Sequence, residues 1–461
     1  MQLARLIGPE LKALLEESPA ELQELLDDIH PEDVADVIEE LERDHAAKVL
    51  ESLPTEYAAQ VFERLDDPVQ ESLAEAMGVE VAAELAVEMD TDDLADFVDD
   101  LPPEMSLPLI KRLEELDAEV ATEVRELRQW QDTSAGGLMT TDYLWVEPGL
   151  TVQGAMEEIR KQAVDAETLD AIYVVDSEDL VKGYLRIRDV LLADPMAKVE
   201  EVMRLNLISV PPEMDQEDVA RTLGKYDMNT LPVVDERGVI LGVITADDIL
   251  DVLAEEQSED VHKMGAIDPL SETYFETSLL TFVKKRAPWL LVLFVGGFFT
   301  ATAIQHFDGV LASIAHLSFY LPMLISAGGN SGSQSSTLVT RGLAVGDVHH
   351  RDWWRVLARE LSQGLILGGT LGAVGALRVV VAGENSTFAL LVAVTLVSIV
   401  VMGCVVGGMM PLLLSRIGLD PATSSTPFIA TLVDVLGIMI YLGLARWLLL
   451  ESGMAAFTGS G

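Results

Sequence analysis

The sequence predicts a multidomain protein: an α-helical superhelical N-terminal region, an α/β region made of two copies of one unit, a long connecting helix, and an all-α membrane region with five transmembrane helices. Three observations predict it. Charge is split sharply, since residues 1–283 carry 20 Lys+Arg against 69 Asp+Glu, whereas residues 284–461 carry 10 against 8. Apolar runs long enough to span a bilayer fall only in the second part, near 288–306, 311–329, 361–382, 387–414 and 427–450. Two internal repeats occupy the first part.

The first repeat is helical. Asp33-Val-Ala-Asp-Val-Ile-Glu-Glu-Leu41 is echoed by Asp93-Leu-Ala-Asp-Phe-Val-Asp-Asp-Leu101, and Pro31, Pro54, Pro68 and Pro102 punctuate short helices. This pattern predicts a superhelical stack over 1–130, with Val34, Val37 and Ile38 facing inward. The second repeat has β-branched runs between helical stretches: Ile172-Tyr-Val-Val-Asp with Gly183-Tyr-Leu-Arg-Ile-Arg-Asp189 matches Leu231-Pro-Val-Val-Asp with Gly242-Val-Ile-Thr-Ala-Asp-Asp248. The two units are placed at 137–198 and 199–255, a connecting helix and linker at 247–283, and the membrane domain at 284–461.

So acidic a first half argues against a nucleic-acid partner, because a phosphate backbone would be repelled. It suits a protein whose ligands are cations, although solubility or life at high salt also accounts for bulk acidity. Cys404 is the single cysteine, so no intrachain disulfide exists. The start, Met-Gln-Leu-Ala-Arg-Leu-Ile-Gly, does not read as a signal peptide, which predicts a cytoplasmic N-terminus and, with five spans, an external C-terminus. Eight basic residues then fall inside against Arg378 and Arg446 outside, in keeping with the positive-inside rule. His349 and His350, beside Trp353 and Trp354, read as a membrane-interface anchor rather than a metal pair.

Asp434 is a lone carboxylate inside the last apolar run. A charged carboxylate at bilayer depth costs about 2.5–3.5 kcal/mol on insertion scales and usually marks an ion path. In the second span, Pro322 and then Gly328-Gly329-Asn330-Ser-Gly332-Ser-Gln334 predict a broken helix with freed carbonyls. Carbonyls, an Asn side chain and a carboxylate are hard oxygen ligands suited to Mg²⁺ or Ca²⁺. Asp420-Pro-Ala and Thr426-Pro427 predict a second break before the last span.

The Gly-Gly-Asn-Ser-Gly-Ser-Gln stretch, Asp420-Pro-Ala and Ala430-Thr-Leu-Val-Asp434 resemble the MgtE family of magnesium channels, and the order of the soluble parts fits as well. The doubled α/β unit resembles a tandem pair of CBS modules. The resemblance implies pore ligands at Asp434, Ala430, Gly328 and Asn330, with Thr426 standing where some relatives carry Asn. It implies magnesium-sensing acids at Asp92, Asp96, Asp215, Glu217, Asp227, Asp248, Asp251, Glu256, Glu259 and Asp260. Mg²⁺ between the N domain, the CBS pair and the connecting helix would then draw these parts together and close the pore. One further family acid in the N domain has no clear counterpart, and Glu63 lies nearby. The CBS pair implies an adenine-nucleotide site, ATP included, at Arg188, Asp189 and Thr245. Arg186 in place of the hydroxyl residue, with Ala171 and Met228 where relatives offer aromatic contacts, weighs against it.

The implied protein is a homodimeric, Mg²⁺-selective channel of the inner (cell) membrane, in contact with lipid and divalent cations, with magnesium as both cargo and regulator. The rival is a secondary magnesium transporter coupled to sodium or protons, for which Glu360 is the only candidate second acid. No nucleophile–base set, P-loop or histidine ligand cluster points to an enzyme.

Overall fold

A computed structural model describes residues 29–164, 166–270, 274–275 and 277–451, and they divide into two compact units, up to residue 254 and from residue 255. Among the described residues of the first unit, eight short helices follow one another: α1 (Pro31–Glu39), α2 (Arg43–Ser52), α3 (Thr55–Phe62), α4 (Asp67–Met77), α5 (Val79–Ala86), α6 (Thr91–Asp100), α7 (Pro103–Leu116) and α8 (Ala118–Leu127). Their helical spacing of apolar residues puts Val34, Val37 and Ile38 of α1, and Leu94, Phe97 and Val98 of α6, inside. Phe62 and Phe97 meet edge to face at 5.0 Å. The inward face read from the repeat is present.

The α/β part contains β1 (Leu144–Val146), α9 (Val152–Gln162), β2 (Ile172–Val175), β3 (Val181–Leu185), α10 (Ile187–Leu192) and α11 (Val199–Val202). A second copy follows with α12 (Gln216–Tyr226), β4 (Thr230–Val234) and β5 (Ile240–Thr245), and α13 (Ala246–Met264) continues from it. The copies share one topology. β2 pairs antiparallel with β3 and parallel with β1, while β4 pairs antiparallel with β5 and Val210 bridges Val233 in parallel. Buried side chains of α1–α8 and of the second copy, among them Val219, Leu231, Val233 and Ile244, form one continuous core.

The second unit holds α14 (Leu279–His306), α15 (Asp308–Ser313), α16 (Leu317–Ala344), α17 (Trp353–Val381), α18 (Ser386–Arg416) and α19 (Thr426–Ala445). Among the described residues, α14, α17, α18 and α19 are long and apolar enough to cross a membrane. Though 28 residues long, α16 is not among them, because its Ser-, Gly- and Asn-rich middle lowers its hydropathy. Four spans thus meet the apolar criterion where the sequence suggested five.

The predicted break in α16 is corrected. The helix runs unbroken through Pro322 and Gly328-Gly329-Asn330. Pro322 lies in its second turn, where one backbone bond is lost rather than a helix interior split. Gly328 lies buried where α16 meets α18 and α19, Gly329 against Ala430 of α19, and close packing there outweighs their poor intrinsic helix propensity. The second expected break exists: α18 ends at Arg416, and a 3₁₀ turn at Pro421–Thr423 precedes α19. His349 Nδ1 lies 3.9 Å from Asp352 Oδ2.

Candidate metal sites

The start of α6 is crowded with carboxylates. Asp90 is its N-cap residue, Asp92 and Asp93 occupy its first turn, and the Asp90 amide donates to Glu63 Oε1 (2.8 Å) at the end of α3. Carboxylate oxygens of Glu63, Asp90 and Asp93 lie within 4.8 Å of one another. A second such trio joins Glu167 to Asp247 and Asp248 at the start of α13. Asp248 is fixed by the Thr245 amide (3.2 Å) and hydroxyl (2.7 Å). Thr91 sits within hydrogen-bond distance of the hydroxyls of Thr140 (3.2 Å) and Thr141 (3.1 Å), which locates the start of α6 against the α/β part.

Asp92 links the two trios electrostatically. Burial, followed by Asp93, Asp248, Glu167 and Asp90, pushes its carboxyl far above the usual range. Its Oδ1 is buried with no hydrogen-bond partner. An orphaned buried carboxylate oxygen amid other acids is expensive unless a proton or cation joins it. Oxygen-only donors at this spacing fit a hard divalent cation such as Mg²⁺. Burial foremost also pushes Glu63 up to about 7 and Glu167 up to about 8.

These directions carry a sign. A carboxyl whose folded-state pKa is raised contributes stability below its unfolded value, and loses it as pH rises through the folded value. In chelator, the melting temperature of the first unit in the full chain should therefore fall as pH rises from about 4.5 to about 8, and level off above. Saturating Mg²⁺ should flatten that slope, and calorimetry in buffers of different ionisation enthalpy should record proton release on binding. A flat chelator profile would refute the reading.

The other expected acids lie elsewhere. Asp96 is exposed, one turn beyond Asp92. Asp215 caps α12 through the Glu217 amide (3.0 Å), and Glu217 pairs with Arg221 (3.0 Å); neither belongs to a trio among the described residues. Asp227, left-handed with φ of 50°, ends α12. Asp251 is exposed on α13. In the second unit, Lys263 pairs with Glu259 and, at 2.6 Å, with Asp420. Burial, then Asp420 and Glu256, raise the neighbouring Asp260. Sequence reasoning missed Asp90, Asp93, Glu167, Asp247 and Asp420, and left Glu63 unassigned. The usable signal was the doubled acid, Asp92-Asp93 and Asp247-Asp248, in the first turn of two helices.

Asp227 also lines a cavity of about 360 Å³ with Tyr184, Arg186, Arg188, Tyr226 and Asn229. Tyr173 Oη and Thr230 Oγ1, on residues lining the same cavity, are buried without partners. Of the three expected nucleotide residues, only Arg188 lines it. Asp189 turns to Arg204 (2.8 and 3.1 Å), and Thr245 is buried against Asp248.

In the second unit, Asp434 of α19 is half-buried beside α16: a Cβ added to Gly329 would lie 3.9 Å from Asp434 Oδ1 and 3.7 Å from the Ala430 Cβ. Asn330 is exposed one residue further along. A Cβ added to Gly403 would come within 2.6 Å of the Gly328 carbonyl oxygen, so that oxygen lies close against α18.

Comparison with known proteins places these features in a family. Profiles described as "MgtE intracellular N domain", "CBS domain" and "MgtE: Divalent cation transporter" match residues 29–133, then 135–195 and 199–255, then 321–444. The magnesium transporter MgtE of Thermus thermophilus is 42% identical over 357 residues, covering 77% of this chain and 79% of that one. The chain belongs to the MgtE family. The magnesium transporter MgtE of Bacillus subtilis is 32% identical, over 72% of this chain and 73% of its own. A crystal structure of the soluble part of a magnesium transporter matches with TM-score 0.51 and 30% identity, over 54% of this chain and 99% of that one. Family membership and the four apolar helices make this MgtE protein a multi-pass membrane protein with a helical N domain and a CBS pair.

Proposed function

We propose that the chain is a magnesium-selective channel of the cell membrane, working as a homodimer and shut by cytosolic Mg²⁺. The observation that carries this reading is Asp434, held on α19 beside Gly329 of α16, in a family whose described relatives are magnesium transporters. One carboxylate per chain is little for a pore, and a two-fold axis would bring two to one path. Mg²⁺ gives up its water reluctantly, so Asp434 meets the hydrated ion through water. With α16 counted as a span, the N-terminus is cytosolic and the C-terminus external, and basic residues favour the inside.

Closure is assigned to the acids around Asp92. Without cation they repel one another; bound Mg²⁺ removes that repulsion and favours the compact state of the first unit. In the second unit, Lys263 ties the end of α13 to Asp420, which caps the turn leading into α19. Burial lowers the Lys263 pKa, but its hydrogen bonds to Asp420 and Glu259 outweigh it and push the value up to about 12. Lys263→Met should raise open probability without Mg²⁺ by about two- to fivefold, the scale of a partly exposed ion pair. Unchanged single-channel recordings would remove Lys263 from gating.

The cavity between Arg186 and Tyr226 is proposed as a nucleotide site, ATP being the candidate, because two guanidinium groups suit a phosphate chain and the unpaired Tyr173 and Thr230 hydroxyls await a polar ligand. The whole reading is tested by patch-clamp recording with cytosolic Mg²⁺ titrated. Downhill current that falls as Mg²⁺ rises is expected. Uphill movement driven by an imposed H⁺ or Na⁺ gradient would instead establish coupled transport.

A further inference from the structure

The membrane-spanning helices bury one carboxylate that the pore reading does not use. Glu360 of α17 is 4% exposed, and its Oε2 accepts the Ser335 hydroxyl of α16 at 2.6 Å. It lies over Gly408 of α18, where a Cβ would come within 2.7 Å of Glu360 Cγ. The adjoining contact between α16 and α18 is made by backbone on backbone. Gly403 and Gly407 leave room for the Gly328 and Gly332 carbonyls, and any Cβ there would collide with them. Such a contact fixes how closely two helices approach but offers few side chains to interlock, so it resists sliding and rotation weakly. A directional hydrogen bond supplies what glycine lacks.

We propose that Glu360 is a positioning residue for ion selection: by holding Ser335, it sets the register of α16 and so the placement of Gly329 and Asn330 around Asp434. Ser335 lies six residues beyond Gly329, about 9 Å along the same rigid helix. On its other side, α16 is held by Ser336, whose hydroxyl donates to the Ser424 carbonyl (3.1 Å) just before α19. Two hydrogen bonds on neighbouring residues thus orient α16 between α17 and the turn that launches α19. The Gly408 gap admits the carboxylate, and an alanine there would displace it. This inference rests on the pore reading of Asp434.

The test compares Mg²⁺ with Mn²⁺ flux for the full-length protein in lipid vesicles. Loss of folded channels scales both fluxes alike, whereas a displaced α16 changes their ratio. Ser335→Ala, Gly408→Ala and Glu360→Leu should each shift the ratio by about tenfold, the scale of one hydrogen bond to a charged group. Glu360→Gln keeps an acceptor for Ser335 and should hold the ratio within about twofold of wild type. If Glu360→Leu fails to fold, the two smaller variants carry the comparison. An unchanged ratio in Ser335→Ala and Gly408→Ala, with wild-type flux present, overturns this proposal alone. A Gln variant as altered as the Leu variant also overturns it, since charge and not the acceptor would then matter. Wild-type vesicles without Mg²⁺ flux overturn the pore reading and this proposal with it.

Discussion

Asp434→Ala should abolish Mg²⁺ flux, lowering it at least about 100-fold in vesicles reporting uptake with a Mg²⁺-sensitive dye, while the protein still elutes as a folded species. The magnitude follows from charge. Taking a divalent ion through a bilayer requires fixed negative charge near its path, and a carboxylate kept there at a cost of about 2.5–3.5 kcal/mol is retained for use. Alanine removes the charge and opens a space beside Gly329 rather than a clash, so α19 and α16 should pack as before. Asp434→Asn separates charge from shape: similar volume, no net charge, and a flux expected near that of the alanine variant. Flux intact in either variant would refute the assignment.

The second large effect concerns the sensor. In Asp92→Asn, currents should persist at cytosolic Mg²⁺ that closes the wild type, with the half-closing concentration raised about tenfold or more, the scale of a lost buried charged contact. The same substitution should stabilise the first unit without Mg²⁺, because one member of a mutually repelling, buried set becomes neutral. A gain of a few degrees in the chelator melting temperature, with a smaller gain on adding Mg²⁺, would separate a cation sensor from a solvated acidic surface. Asp248→Asn should act in the same direction, less strongly on stability, because Thr245 already satisfies one Asp248 oxygen. Normal closure in both variants would remove this cluster from gating.

What the sequence made readable follows from how local each signal is. The superhelix and the doubled α/β unit announce themselves through periodic apolar residues, and Val34, Ile38, Leu94 and Phe97 lie where that period puts them. Asp434 was legible because a single acid in an apolar run has no competitor. The acidic cluster was only half legible: Glu63 and Asp248 stand 185 residues apart in the chain, among 77 acids, and only folding selects which meet. Continuity of α16 was misread because proline and glycine rules describe an isolated helix, while Gly328 and Gly332 are held by the glycines opposite. Asp189 and Thr245 fitted a nucleotide pattern in order along the chain, yet each is satisfied by the protein itself.

The polarity of α16 has a consequence for how the protein is made. The machinery that places helices in a bilayer reads apolarity one segment at a time, and Leu317–Ala344 falls short of the level its four neighbours reach. Left to itself, this helix inserts less favourably than they do. It must be drawn in with a companion, and α18, whose glycines accept it, is made only later by the ribosome. Until α18 emerges, α16 has nowhere to lodge, so a bulky substitution at Gly403 or Gly407 would be registered during biogenesis, as chains degraded before they ever conduct.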